Sequence, residues 1–127
     1  MATLTVAQAT ALRRFAADEA SRTRPGRRWL ALLGAHQQEL SQRYAASPAL
    51  RRHVDQVSRD AVALIESLGS GRPRVIDESV IASVQVVLTE LETQGSAGLR
   101  GAITEIRRDL RAALGQTIRQ ALGPREP

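Results

Sequence analysis

The stretch that decides the fold is residues 75–92, VIDESVIASVQVVLTELE. It is the most apolar segment of the chain and holds no basic residue, although the whole 127-residue protein has a formal net charge of +5. Ile76, Val80, Ile81, Val84, Val87, Leu88 and Leu91 recur at helical spacing, and only Val86 falls off their arc. The β-branched residues would suit a strand. A period of two, however, would put Val84 and Val87 on opposite faces. A 3.6-residue repeat gathers the apolar set on one broad face, wide enough to be covered on two sides. The segment therefore reads as the central buried helix of an all-α protein, capped by Asp77 or Ser79 and ended at Gln94-Gly95.

The neighbouring segments follow the same logic. Upstream, Ser47-Pro48 supplies an N-cap and a first helical residue. Leu50, Val54, Val57, Ala61, Leu64 and Leu68 then form a heptad-like seam that stops at Gly69. Downstream, Ser96 caps a predicted helix to Leu122, with Leu99, Ile103, Ile106, Leu110, Leu114 and Ile118 along its stripe and Gly123-Pro124 as its stop. Near the start, Thr5 and Gln8 have capping-box spacing for a helix to Ser21. Its stripe of Val6, Leu12, Phe15 and Ala16 is the weakest in the chain. Pro25-Gly26 reads as a break, so residues 21–28 are predicted as a linker and residues 28–46 as the next helix.

All proposed connections are short, which favours antiparallel neighbours. The expected architecture is a single helical domain over residues 1–127, an antiparallel bundle of four main helices plus a partly peripheral N-terminal helix. Residues 1–4 and 123–127 are expected to be disordered.

Composition narrows the function classes. The content is 43% hydrophobic and 24% charged, as in ordinary globular proteins. Phe15, Trp29 and Tyr44 are the only aromatics, so the core must be aliphatic. The absence of cysteine excludes disulfides, thiolate nucleophiles and cysteine-ligated zinc. The N-terminus lacks the basic-then-apolar pattern of a secretory leader, and no run approaches the ~18 apolar residues of a membrane span. A cytoplasmic location is the resulting expectation.

No phosphate loop, dinucleotide fingerprint or nucleophile elbow occurs. His36 with Glu39, and His53 with Asp55, are the only histidine–carboxylate groupings, and nothing repeats as a helical di-metal site requires. No catalytic residue, metal or cofactor is expected.

What remains is charge. All 18 basic residues are arginine. The first 28 residues hold six arginines against two acids, residues 61–94 two against five, and residues 95–127 six against three. Two clusters stand out as candidate binding surfaces. Arg22, Arg24, Arg27 and Arg28 lie in the predicted linker. Arg100, Arg107 and Arg111, flanked by Arg108, form a strip on the last helix. The planar guanidinium fork suits carboxylate or phosphate. Glu78, Glu90 and Glu92 are the nearby acids that would neutralise the strip if they reached it.

These residues point to a non-enzymatic helical binding protein, an adaptor, regulatory subunit or inhibitor, contacting an acidic protein surface through its arginines. Nucleic-acid binding by the same arginines is the second reading. Against it stand the lack of stacking aromatics and the apolar stripe on the helix that would have to enter a groove. An enzyme with a site between helices is the third. A homodimer pairing a basic rim with an acidic one is a further expectation.

Overall fold

The computed structural model describes residues 5–126, and every regular element among them is helical. The expected all-α class is correct. The elements are α1 (Val6–Asp18), a 3-10 turn (Ala20–Arg22), α2 (Arg24–Ala35), α3 (Gln37–Ala46), α4 (Pro48–Ser67), α5 (Glu78–Gln94), α6 (Ala97–Ala112) and α7 (Ile118–Leu122). Residues 1–4 and 127, expected to be disordered, lie outside the described residues.

The local start signals work as their chemistry dictates. Thr5 and Gln8 form a complete capping box on α1. Ser47 caps α4 by accepting from the Leu50 amide at 3.1 Å, with Pro48 in the first position. Asp77, not Ser79, caps α5 through the Val80 amide at 3.0 Å. Ser96 caps α6 through the Leu99 amide.

Three boundaries differ from the sequence reading, each for a physical reason. The predicted linker over residues 21–28 is instead a 3-10 turn running into the first turn of α2. Thr23, only 3% exposed, accepts from the Gly26 amide and donates to the Ala20 carbonyl. Pro25 then stands in the first turn, where its missing N–H leaves no helical bond unmade. The predicted helix over residues 28–46 bends at His36, whose backbone (φ −114°, ψ 15°) is not helical, and so divides into α2 and α3. The predicted helix over residues 97–122 ends at Ala112. Gly115 adopts φ +82°, and Thr117 with Gln120 forms a second capping box that starts α7. The loop between α6 and α7 is pinned to the segment before α5: the Ile76 amide donates to the Gln116 carbonyl and the Gly115 amide to the Ile76 carbonyl.

Packing also shifts the centre of the fold. α4 packs against α5, α1 and α3, whereas α5 packs against α4 and α6. α4 is thus the hub, and the 75–92 stretch is the wall beside it. Val62, off the α4 seam, is buried together with Leu50 and Leu64, as enclosure on two sides requires. α1 packs on α4 but buries no residue fully, and Val6 is 82% exposed.

The C-terminal tail, expected to be loose, returns to the N-terminal elements. The Glu126 amide donates to the Arg22 carbonyl at 2.7 Å. Arg125 pairs with Glu19, and Arg27 with Glu126.

The buried core falls into two clusters. One joins Leu50, Leu88, Leu91, Leu99 and Ile103. The other joins Leu64, Ile76 and Ala113. Compact domains of this size usually have one contiguous core. The reason for the division is the space described next.

Candidate functional site

Between α2 on one side and α4, α5 and α6 on the other lies a chamber of about 510 Å³. α2 contributes Trp29, Leu32 and Leu33, the bend after it His36, and α4 Val57 and Ala61. Both core clusters also lend residues to the wall, Leu88, Leu91, Leu99 and Ile103 from the first and Ile76 and Ala113 from the second. Only Trp29, His36 and Asp109 bring polar side-chain atoms to a lining that is otherwise Leu, Val, Ile and Ala.

Polar clasps at its two ends set the width of the chamber. At one end the Trp29 indole N–H donates to Asp109 Oδ2 at 2.7 Å, and Arg28 pairs with the same oxygen. At the other end Glu39 on α3 accepts from the Ser96 amide at 2.8 Å and from the Ser96 hydroxyl at 2.7 Å. Arg43 adds hydrogen bonds to the Gln94 side chain and carbonyl. His36 lies beside Gly98, whose lack of a side chain makes room for the ring. The α2–α3 pair is therefore strapped to the two ends of α6, with apolar side chains and His36 in between.

The electrostatics of the clasps follow from these bonds. Burial raises the Asp109 pKa, but the hydrogen bonds from Trp29 and Arg28 and the charges of Arg28 and Arg108 outweigh it, so the carboxyl sits below its ordinary 3.8. Glu39 is lowered chiefly by the Ser96 hydroxyl and amide. A carboxylate whose folded pKa is depressed adds stability above its unfolded value and loses it as pH falls through the folded value. The Asp109 clasp is thus fully present at neutral pH. In urea unfolding, the gap between the wild type and Asp109→Asn should be constant from about pH 8 to about pH 5 and close below about pH 3.8. A gap that widened on acidification would contradict this assignment.

The arginines singled out from sequence divide into two groups. Arg107 is absorbed into the α5–α6 interface, bonding Glu92 at 2.7 Å, Gln85 at 2.9 Å and Thr89 at 3.0 Å. Arg28 belongs to the chamber clasp and Arg27 to the tail contact. Arg22, Arg24, Arg100, Arg108 and Arg111 are exposed and have no side-chain hydrogen-bond or ion-pair partner among the described residues. Of the three acids considered, Glu92 reaches the strip, and Glu90 instead faces His53 on α4 at 3.3 Å. The expected arginine strip therefore loses its middle member, and the expected linker cluster becomes the first turn of the helix that roofs the chamber.

Sequence reasoning missed Asp109 and the apolar wall as a unit, and it weighed Glu39 only as a partner of His36, not of Ser96. A buried tryptophan needs an acceptor for its N–H, and that need was readable at Trp29, but its partner lies 80 residues away. Among the described residues no group of three or more His, Cys, Asp or Glu could hold a metal, and no helix is long and apolar enough to cross a membrane. No protein-family model, curated protein or solved structure matches the chain.

Proposed function

We propose that the protein is a binding protein that holds a small apolar molecule between α2 and the α4–α6 body. The observation that carries this reading is the size and chemistry of the chamber. A space of about 510 Å³ leaves these apolar walls without the packing partners that a closed core would give them. Water is a poor filler, since it needs two to four polar partners and the walls offer few. Collapse of α2 onto α6 is opposed by the clasps at Asp109 and Glu39. An apolar ligand supplies the missing partners without breaking either.

Scale supports the same class. An apolar cavity of about 150 Å³ holds benzene, so in proportion the chamber takes about 20 non-hydrogen atoms. That lies within the usual range of small-molecule sites. N-phenylnaphthylamine, an uncharged fluorophore that brightens in apolar surroundings, is a suitable probe. It is expected to bind with one-to-one stoichiometry, saturably, and with an affinity insensitive to salt. Absence of saturable binding would remove the reading.

Contact with an acidic macromolecule is a second proposal, favoured by the exposed and unpaired Arg22 and Arg24 on the approach to α2 and Arg100, Arg108 and Arg111 on α6. A nucleic-acid partner would make binding fall steeply with salt. No binding at low salt would leave only an acidic protein face or a second copy of the chain.

A further inference from the structure

The chamber does not end at Trp29. A smaller pocket of about 140 Å³ abuts it and shares Trp29, Asp109, Ala113 and Ala121 with it, while Pro25, Arg28 and Gln116 help to close the far side. The apolar chamber thus adjoins a small vestibule to which Arg28, Asp109 and Gln116 bring polar side chains, with Trp29 and Asp109 common to both. Arg28 is the one arginine among the described residues lining either space, and it is already paired with Asp109. Both bonds to Asp109 fall on Oδ2, so Oδ1 has no donor among the described residues. The Asp109 side chain is 19% exposed.

We propose that the site takes a molecule with an apolar tail and a hydrogen-bond-donating head free of negative charge, typified by a long-chain alcohol, and that Asp109 excludes carboxylates by occupying Arg28. The proposal rests on the reading of the chamber as a ligand site. The tail fills the apolar chamber, and the head enters the vestibule and donates to Asp109 Oδ1. A carboxylate head meets the opposite conditions. It approaches a like charge, finds the one arginine of the lining already paired, and must leave water without a partner. Asp109 acts on such a ligand through Arg28 and so sets specificity by positioning as well as by contact.

The test uses the full chain at about 0.15 M salt, where exposed arginines are screened. Dodecanol and dodecanoate, both small enough for the chamber, compete with bound N-phenylnaphthylamine. In the wild type, dodecanol is expected to displace the probe at a concentration at least tenfold lower than dodecanoate. Asp109→Asn releases Arg28 and should shrink that ratio about tenfold. Adding Arg28→Gln to Asp109→Asn should restore it, because the freed cation is then gone. A merely structural role for Asp109 would weaken both ligands together and leave the ratio fixed. Equal displacement by the two ligands in the wild type, or a ratio unmoved by Asp109→Asn, overturns the proposal. If the probe itself does not bind, the chamber reading fails and takes this inference with it. If the probe binds and the ratio is flat, the chamber stands and only the selectivity falls.

Discussion

Ile103→Ala is expected to destabilise the protein by about 3–5 kcal/mol, near the upper end for removing a large aliphatic side chain from a core. Ile103 is the most deeply buried large side chain described, at 1% exposure. It touches both the leucine cluster of α4, α5 and α6 and the chamber wall. Truncation would lose the transfer energy of the missing carbons. It would also leave a void that merges with the chamber, so neighbours could not close over it cheaply. Val86→Ala on the exposed side of α5 should stay within about 0.5 kcal/mol of the wild type. Urea unfolding of the two variants checks the assignment. Similar losses from both would mean that the buried face of the α5–α6 pair is wrong.

Gly26→Ala should cost about 3 kcal/mol, from overpacking together with loss of a helix cap. A Cβ at this position would stand 2.0 Å from the Ala20 carbonyl oxygen and 2.7 Å from the Thr23 hydroxyl. Those two atoms are hydrogen-bonded to each other, and the hydroxyl also accepts from the Gly26 amide. One methyl would therefore displace the cap of α2 and the end of the 3-10 turn at once. The sign is the informative part. Gly101 lies within α6 with nothing within 4 Å of an added Cβ, so Gly101→Ala should stabilise by about 1 kcal/mol, the ordinary gain in a helix. If both glycines behaved alike, the close approach of the 3-10 turn to α2 would be disproved.

The contrast between these glycines also explains what could be read from the chain. The starts of α4 and α5 were legible because their signals are local. Ser47-Pro48 and Asp77 stand next to the helices they cap, and clean apolar repeats follow. Gly26 was not legible, because its role depends on a carbonyl six residues earlier that a 3-10 turn folds back against it. Together with Pro25 it reads as a break, and only the Thr23 cap turns the same pair into a helix start. The end of α6 was missed for another reason. Leu114, Ile118 and Leu122 continue the stripe, yet Leu114 is 47% exposed because the chain turns at Gly115. The T-x-x-Q pattern at Thr117–Gln120, which reports the new start, is as plain as the one at Thr5–Gln8.

The site was legible only in fragments. Glu92 was among the acids expected near the α6 arginines, and it does neutralise Arg107. The chamber has no signature along the chain, because it is made by the distance between α2 and α6. That distance is set by Trp29, Arg28 and Asp109 at one end and Glu39 and Ser96 at the other. Each is an ordinary surface or half-buried residue when read singly. The apolar stripe of α2 reads as core, yet Leu33 is 50% exposed and the helix stands off the body it faces. Charge drew attention to the arginines on the outer side of α2, while its inner side carries the wall.

The proposed binding depends on α2 covering a ligand-sized space. It is tested most directly by filling the space from two of the helices that face α2. Ala61 on α4 and Ala102 on α6 both carry small side chains at the lining. The measurement is calorimetric titration of N-phenylnaphthylamine into the wild type, Ala61→Phe and the double variant Ala61→Phe/Ala102→Phe, with a thermal melt of each. One binding site is expected in the wild type, weaker binding in the single variant and none in the double variant. The single variant should melt higher than the wild type, by the ~0.5–2 kcal/mol typical of cavity filling. Undiminished binding in the double variant, or a loss of stability on adding the first phenyl ring, would contradict the proposed binding.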